Sequence, residues 1–191
     1  MAKEKLIVGI SGASGVIYGV RLLEAIKETI PAVETILVVT PGAAKTIEIE
    51  TDYKIEQVKA LADRVEDYYN LASSISSGSY KTIGMVVVPC SMRTLSDIAS
   101  SNANNLLARA ADVTLKERRK LVIVPRETPL HRGHLKLMIT AFDNGAVILP
   151  PFPAFYHRPK SIDQLIDHTC GKILDQFEIA NELFIRWGGG G

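Results

Sequence analysis

The sequence predicts an α/β fold in which helices cover both faces of a doubly wound parallel sheet, within a single domain. Short apolar runs alternate along the chain with stretches that carry apolar residues at helical spacing. Several runs are apolar at every position, which is typical of parallel strands buried on both faces. The chain has 191 residues, with no internal repeat and no linker. That length is usual for one domain.

Each predicted element follows from one of these patterns. Strands are predicted over residues 6–10, 33–39, 83–88, 121–124 and 146–149. Helices are predicted over 16–27, 43–50, 56–62, 95–115 with an interruption near 102–105, 135–142 and 162–180. Pro41 suits the first turn of the second helix. The serine-rich stretch 73–79 predicts a loop.

Composition and charge exclude several classes of protein. Hydrophobic residues make up 47% and charged residues 23%, and the formal net charge is +1, whereas nucleic-acid binders carry a basic excess. The first apolar run is too short for a membrane span. Two distant cysteines predict a reducing environment rather than disulfides. We therefore expect a cytoplasmic protein without nucleic-acid or membrane partners. The basic cluster 116–120 is either a solvated helix end or a functional group.

Ligands of such sheets bind outside the carboxyl ends of the strands, so the residues that follow each strand are the candidates. The glycine loop 11–15 follows the first strand and is either a phosphate-binding loop or a tight turn. Thr40 follows the second strand and is either a ligand hydroxyl or a helix N-cap. Residues 89–94 follow the third strand with a thiol, two hydroxyls and a guanidinium. This density of polar groups favours a functional loop.

The last two strand ends are less distinctive. Residues 125–129 place Arg126 and Glu127 between two prolines, which gives either a rigid site or a surface ion pair. Residues 150–159 contain four prolines and three aromatics, and form either part of the site or a packing or subunit contact. Cys90 is either a nucleophile or a small packing residue.

A metal site is not predicted. His131 and His134 are three residues apart and can share one helix face. Neither a carboxylate nor a cysteine lies at a spacing that would complete a ligand set. We therefore expect chemistry that needs no metal.

Taken together, these segments resemble the UbiX flavin prenyltransferases, a flavodoxin-like (Rossmann-like) family that includes relatives serving phenylacrylic acid decarboxylation. The resemblance extends from Leu6 to Trp187. It is carried by GISGASG at 9–15, ETD at 50–52, SSGS at 76–79, PCS at 89–91, RAADV at 109–113, LKER at 115–118, VPRETP at 124–129, PAFYH at 153–157 and RW at 186–187.

The resemblance implies a set of cofactor and substrate residues. The residues expected to contact FMN are Gly12, Ala13, Ser14, Thr40, Ser91, Met92, Arg93, Thr94 and Arg126. The allylic phosphate is expected to contact Tyr156 and Lys172, with Arg109 and Lys116 nearby. The family often has arginine where this chain has Lys172, and lysine lacks the bidentate fork of arginine.

The resemblance also implies the reaction. A dimethylallyl group leaves dimethylallyl monophosphate and bonds to N5 and then C6 of reduced FMN. The residues expected to take part are Ser14, Glu50, Glu127 and Trp187. The product, prenylated FMN, would serve a UbiD-type decarboxylase in ubiquinone synthesis or aromatic acid decarboxylation. The family forms large homo-oligomers, here expected to be a dodecamer with the site at a subunit junction.

Three other functions are alternatives from the sequence. FMN-dependent cysteine decarboxylases share the fold, but they use a histidine near the first helix, and no histidine precedes His131. Direct decarboxylation of an aromatic acid is the second alternative, although a partner decarboxylase that uses the prenylated flavin accounts better for that activity. An FMN carrier without catalysis is the third. Residues 1–187 are expected to form the functional domain, and residues 188–191 a disordered glycine tail.

Overall fold

The computed structural model describes residues 3–188. Its strands are β1 (Glu4–Ile10), β2 (Val33–Val39), β3 (Arg64–Glu66), β4 (Gly84–Cys90), β5 (Lys120–Pro125) and β6 (Val147–Ile148). Its α-helices are α1 (Val16–Thr29), α2 (Pro41–Glu50), α3 (Ile55–Lys59), α4 (Met92–Ala99), α5 (Leu106–Lys116), α6 (Arg132–Asp143) and α7 (Ile162–Gln176). A 3₁₀ turn spans Ser74–Ser76.

The strands form one parallel sheet in the order β3-β2-β1-β4-β5-β6. The chain winds outward from β1 to β3 and then crosses to β4 on the other side of β1. The topological switch point therefore lies between β1 and β4, where such sheets bind their ligands. The predicted single-domain, doubly wound α/β fold is confirmed.

Alternate side chains of β1 enter two separate cores. Leu6, Val8 and Ile10 pack in the layer that contains residues of α1, α2, α3 and α7. Ile7 packs on the opposite face, with residues of α4, α5 and α6. Gly9 also faces that side, and a Cβ there would lie 3.1 Å from Leu107 Cδ1. Burial on both faces explains why the strand sequence is apolar throughout.

Several predicted boundaries were wrong. The interruption predicted near 102–105 is present but wider than expected, because residues 100–105 leave the helix and Asn105 caps α5 by accepting from Ala108 N at 2.9 Å. β4 does not stop before Pro89 but continues to Cys90. α7 ends at Gln176 rather than residue 180, and α6 starts at Arg132 rather than residue 135. Pro41 does lie in the first turn of α2, as predicted.

The strand β3 was missed because it has three residues and only one apolar side chain, Val65. Pairing with β2 creates this strand, and its own sequence pattern does not indicate it. Of the predicted glycine tail, Gly188 is exposed and lies outside regular secondary structure. Residues 189–191 lie outside the described part of the chain. Within residues 3–188, no helix has the length and apolar character needed to cross a membrane.

Candidate active site at the carboxyl edge of the sheet

Ser11 ties the ends of the two central strands together. Its hydroxyl donates to Pro89 O at 3.0 Å and accepts from Ser91 N at 2.7 Å, and its backbone N–H also donates to Pro89 O. The side chain is fully buried. A buried hydroxyl with both partners in place holds two loops in a fixed relation. The glycine loop and the loop after β4 therefore form one rigid edge at the switch point.

The glycine loop lies against the start of α2. A Cβ on Gly12 would lie 3.0 Å from the carbonyl carbon of Gly42, so a side chain there would press the two backbones apart. Gly15 has φ of 91°, a left-handed conformation that glycine adopts without strain. Ala13 is buried and donates its N–H to Ser11 O at 2.8 Å. The tight turn is therefore present, and phosphate binding by this loop stays a prediction.

Two further helices begin at this edge with a side-chain cap. Thr40 Oγ1 accepts from Ala43 N at 3.1 Å, so the predicted N-cap is present at α2. Ser91 Oγ accepts from Thr94 N at 3.2 Å and donates to Thr94 Oγ1 at 3.1 Å at the start of α4. Helix N-termini carry partial positive charge and free N–H groups, which suit a phosphate.

Two charged side chains hold the glycine loop from outside. Glu50, at the end of α2, accepts from Gly15 N at 2.8 Å. Arg126, directly after β5, donates from Nε to Ser14 O at 3.2 Å. No ion pair joins Arg126 to Glu127 in the described chain. The interpretation as a surface ion pair was therefore wrong, and Arg126 is instead hydrogen-bonded to the glycine loop.

A cleft of about 460 Å³ opens beside these loops, a size usual for small-molecule sites. Its lining residues come from four strand ends: Gly12, Thr40, Pro41, Gly42, Tyr68, Tyr69, Ser91, Arg93, Thr94 and Asp97. Met92 instead lines a neighbouring depression with Arg93 and His131. The backbone cradle at Gly12, the helix N-termini and the Arg93 charge fit a flavin phosphate. The aromatic walls fit a planar ring.

Sequence reasoning missed the two tyrosines of this cleft. Tyr68 and Tyr69 follow β3, and their rings meet edge to face with centroids 5.0 Å apart. Burial raises the pKa of Tyr68, while the nearby charge of Arg93 acts to lower it. The paired tyrosines in an otherwise polar stretch were the available signal. The two tyrosines could not be assigned to the site until β3 was known to be an edge strand of the same sheet.

A second group of predicted residues lies together near α7. The ring of Tyr156 meets that of Trp187 edge to face with centroids 5.7 Å apart. Its hydroxyl lies 3.2 Å from His168 Nε2. His168 in turn meets Phe184 with centroids 4.8 Å apart. The aromatic loop 150–159 and the chain after α7 thus pack onto one face of that helix.

Lys172 lies on the same face, one turn after His168. Its Nζ is 3.6 Å from Asp175 Oδ2 and 6.0 Å from the Phe184 ring centroid. Asp175 also accepts two hydrogen bonds from Arg186, at 2.7 and 2.8 Å. These bonds to Arg186 lower the pKa of Asp175, against the effect of burial. Lys172 and Arg186 thus share the Asp175 carboxylate, and the Lys172 side chain stays half-exposed.

Three predicted residues form hydrogen bonds and ion pairs only with local partners in the described chain. Lys116 ends α5 beside the start of β5, at the amino edge of the sheet, and pairs with Glu117. Arg109 pairs with Asp112 at 2.9 Å in the first turns of α5. Glu127 is exposed and accepts from Thr128 N at 3.0 Å. The basic cluster is therefore a helix end with local ion pairs in this chain.

Cys90 and the two histidines have structural roles. Cys90 is fully buried, and this burial raises the pKa of its thiol, which favours the packing interpretation over a nucleophile. His131 caps α6 by accepting from Gly133 N at 2.9 Å, and its ring lies 3.6 Å from that of His134. Among residues 3–188, no group of three or more His, Cys, Asp or Glu side chains is arranged to hold a metal ion.

Comparison with known proteins gives a consistent result. The sequence model of the Flavoprotein family matches residues 1–181. A flavin prenyltransferase UbiX from Escherichia coli strain K12 is 55% identical over 188 residues, covering 97% of this chain and 99% of the relative. The peptidyl-cysteine decarboxylase EpiD has a TM-score of 0.60 at 18% identity, which shows a common fold alone.

Two solved structures are much more similar. A crystal structure of AnUbiX (PadA1) in complex with FMN and dimethylallyl pyrophosphate has a TM-score of 0.96 and 46% identity, covering 99% of this chain and 100% of that one. A dodecameric FMN-dependent UbiX-like decarboxylase from Escherichia coli O157:H7 has a TM-score of 0.94 and 48% identity, covering 97% of this chain and 100% of that one. On the sequence identity and the shared fold, this chain belongs to the UbiX flavin prenyltransferase family.

Proposed function

We propose that the chain transfers a dimethylallyl group from dimethylallyl monophosphate to N5 and C6 of reduced FMN. One observation carries this proposal: Glu50 and Arg126 are both hydrogen-bonded to the glycine loop beside the cleft at the switch point. A carboxylate and a guanidinium are thereby fixed at a site whose backbone suits a flavin. The functional unit is residues 1–187.

FMN binds in the cleft at the carboxyl edge. The N-termini of α2 and α4, capped by Thr40 and Ser91, would hold its phosphate, with Arg93 as the countercharge. Gly12 leaves room for the close approach of backbone to ligand. Ala13, Ser14, Met92, Thr94 and Arg126 complete the set of flavin contacts. The similarity to AnUbiX, whose structure contains FMN, supports this placement.

The bound reduced flavin supplies the nucleophile, and the protein handles the leaving group. Tyr156 and Lys172 hold the allylic phosphate and stabilise the negative charge that develops as it departs. Trp187 lies against Tyr156 with 67% of its surface exposed, so its ring is free to cover an apolar chain. Aromatic faces attract the cationic character of the allylic carbons.

Three residues manage protons and orientation. Glu127 is the candidate for the proton exchanged at the phosphate, and Glu50 for proton transfer around the flavin. Ser14 is assigned to assist near N5. Arg126 Nε donates to Ser14 O at 3.2 Å and so fixes the position of Ser14 in the loop. All three lie on segments that follow or border the central strands.

The complete site requires an oligomer. Lys116 is at the opposite edge of its own sheet, so it reaches a phosphate only from a neighbouring chain. Arg109 would contact the same phosphate by giving up its ion pair with Asp112. We propose a homododecamer with the site at the subunit junction, supported by the dodecameric relative at 48% identity.

The product is prenylated FMN, which the chain delivers to a UbiD-type decarboxylase in ubiquinone synthesis or aromatic acid decarboxylation. Cys90 and Cys170 are both free thiols, which fits a reducing cytoplasm.

The test is a single-turnover reaction with mass analysis of the flavin. Protein loaded with FMN is reduced without oxygen and mixed with dimethylallyl monophosphate or the pyrophosphate. Flavin heavier by one C5 unit supports the transferase, and its loss in Glu127→Gln supports the role of that carboxylate. Tight FMN binding with unmodified flavin for both donors would contradict it and favour a flavin carrier. A preference for pyrophosphate would correct the donor alone.

A further inference from the structure

His168 occupies a defined place beside Tyr156 that the proposed chemistry does not use. Its Nε2 lies 3.2 Å from the Tyr156 hydroxyl. The two residues come from different segments, α7 and the loop after β6, and are twelve positions apart. This hydrogen bond therefore fixes the phenol relative to the helix that carries Lys172.

The imidazole itself is held on two sides. It stacks on the His157 ring at an interplanar angle of 3° with centroids 5.3 Å apart. The Phe184 ring meets it at 66°. These contacts restrict the plane of the ring, and within that plane Nε2 faces the Tyr156 hydroxyl. Orientation by neighbours is what distinguishes a positioning residue from an incidental contact.

We propose that His168 is a positioning residue of the allylic phosphate site: its Nε2–H donates to the Tyr156 oxygen and leaves the phenol proton free for the phosphate. This inference rests on the proposed function. A phenol has one proton to donate. If Nε2 carried no proton, the phenol would donate to it and could offer the phosphate only a lone pair. The tautomer of His168 thus decides whether Tyr156 can bind an anion.

The charges around the ring favour the neutral state. Burial lowers the pKa of His168, the facing His157 and Lys172 lower it further, and Asp175 acts in the opposite direction. Tyr156 from the aromatic loop and Phe184 from the C-terminal segment complete its surroundings. A neutral ring avoids a second cation beside Lys172, so the positive charge that meets the phosphate is on the lysine.

The first test needs neither flavin nor turnover. The chain has four histidines, so selective ¹⁵N-histidine labelling of the flavin-free assembly gives a small set of signals by solid-state NMR. The His168→Phe variant identifies the His168 signals. A protonated Nε2 that shifts in Tyr156→Phe supports the inference. An unprotonated Nε2 at neutral pH overturns it.

The second test is a double-mutant cycle in the prenylation assay. His168→Phe keeps an aromatic ring between His157 and Phe184 but removes the donor. We expect KM for dimethylallyl monophosphate to rise about five- to tenfold with kcat little changed, the effect of one net hydrogen bond. His168→Gln, which restores an N–H donor, recovers most of the affinity. In the Tyr156→Phe background, His168→Phe has no further effect.

The outcomes separate the two proposals. An unchanged KM in His168→Phe, or an equal loss in both backgrounds, contradicts the positioning role while the wild-type chain still prenylates flavin. A wild-type chain that makes no prenylated flavin contradicts the proposed function and removes the phosphate site with it. Thermal denaturation of each variant confirms that the compared proteins are folded.

Discussion

Glu50 accepts a hydrogen bond from the backbone N–H of Gly15, with 2.8 Å between Oε2 and N. The bond joins the last residue of α2 to the turn that starts α1, across 35 positions of sequence. Gly15 has the left-handed φ of 91° that turns the chain into α1. Oε2 thus has a structural partner in the glycine loop, and the same carboxyl is our candidate for proton transfer around the flavin.

Glu50→Gln should separate these two roles. The amide oxygen still accepts from Gly15 N, so we expect FMN affinity to stay within about threefold. Loss of the titratable carboxyl should lower the single-turnover rate by about 10²- to 10⁴-fold. Glu48→Gln, an exposed position on the same helix, is the matched control. An unchanged rate in Glu50→Gln would remove Glu50 from proton transfer.

Ser11→Ala should destabilise the fold through the edge that Ser11 joins. The change leaves Pro89 O and Ser91 N with one partner fewer in a buried position, which costs about 1–3 kcal/mol. Urea denaturation measures this loss. Ser100→Ala is the control, because its hydroxyl donates to Ser96 O at the surface, and water replaces it at a cost below about 0.5 kcal/mol. Equal losses would show that the bridge does not stabilise the edge.

Gly19→Ala should destabilise although alanine is the better helix former. A Cβ at Gly19 would lie 2.5 Å from Val88 O, so α1 must move away from β4. Overpacking of this kind costs about 1–3 kcal/mol, which exceeds the gain of about 1 kcal/mol in helix propensity. Thermal denaturation shows whether the variant is less stable than wild type. A higher midpoint than wild type would mean that the helix tolerates the added methyl group.

Docking of the C-terminal segment should depend on pH through Asp175. Hydrogen bonds from Arg186 hold the pKa of Asp175 below its ordinary value. Its contribution is therefore present above the unfolded pKa of about 3.9 and is lost as pH falls through the lower folded value. Trp187, the single tryptophan, reports the detachment as a change in fluorescence.

Asp175→Asn should give the detached Trp187 signal already at pH 7, because the amide lacks the charge that binds Arg186. Asp143→Asn, at the exposed end of α6, serves as the control and should retain the wild-type signal. Fluorescence that is the same in wild type and Asp175→Asn from pH 7 to pH 3 would contradict this role for the carboxylate.

Mixed oligomers should reveal whether Lys116 acts across a subunit boundary. At dimethylallyl monophosphate concentrations well below KM, Lys116→Gln and Tyr156→Phe chains are each expected to react much more slowly than wild type, because each has lost a phosphate contact. Co-assembled in equal amounts, they form some sites with both wild-type residues, and activity should return to about a quarter of the wild-type value. Mixing the proteins after separate assembly is the control. Activity that stays at the parental level would place Lys116 and Tyr156 in the same half of the site.

The parts of the fold that are encoded locally could be predicted. The run Val33–Val39 was bounded correctly because every position is apolar or β-branched except Glu34. Thr40 before Pro41 predicted the start of a helix, and Thr40 is the N-cap of α2 in the structure. Such signals depend only on residues that are close in sequence, so they can be recognised in a single sequence.

The contacts between distant segments could not be predicted. An interruption near 102–105 was predicted within residues 95–115, but its full extent was not, and the contact of Leu106 N with Tyr68 O lies outside any local pattern. β3 needs β2 beside it to be a strand. These elements obtain their stability from partners far along the chain, which propensity does not describe.

The sequence by itself determined the alternation of strands and helices, the family and the residue types at each strand end. The tertiary structure alone decided which of those ends meet. The order of the strands brings Ser11 and Ser91 together and places Tyr68 in the wall of the cleft. It leaves Lys116 at the amino edge of the sheet. It also sets His168 against Tyr156. The reason is physical: a site is made of long-range contacts, and their geometry exists only once the sheet has ordered its strands.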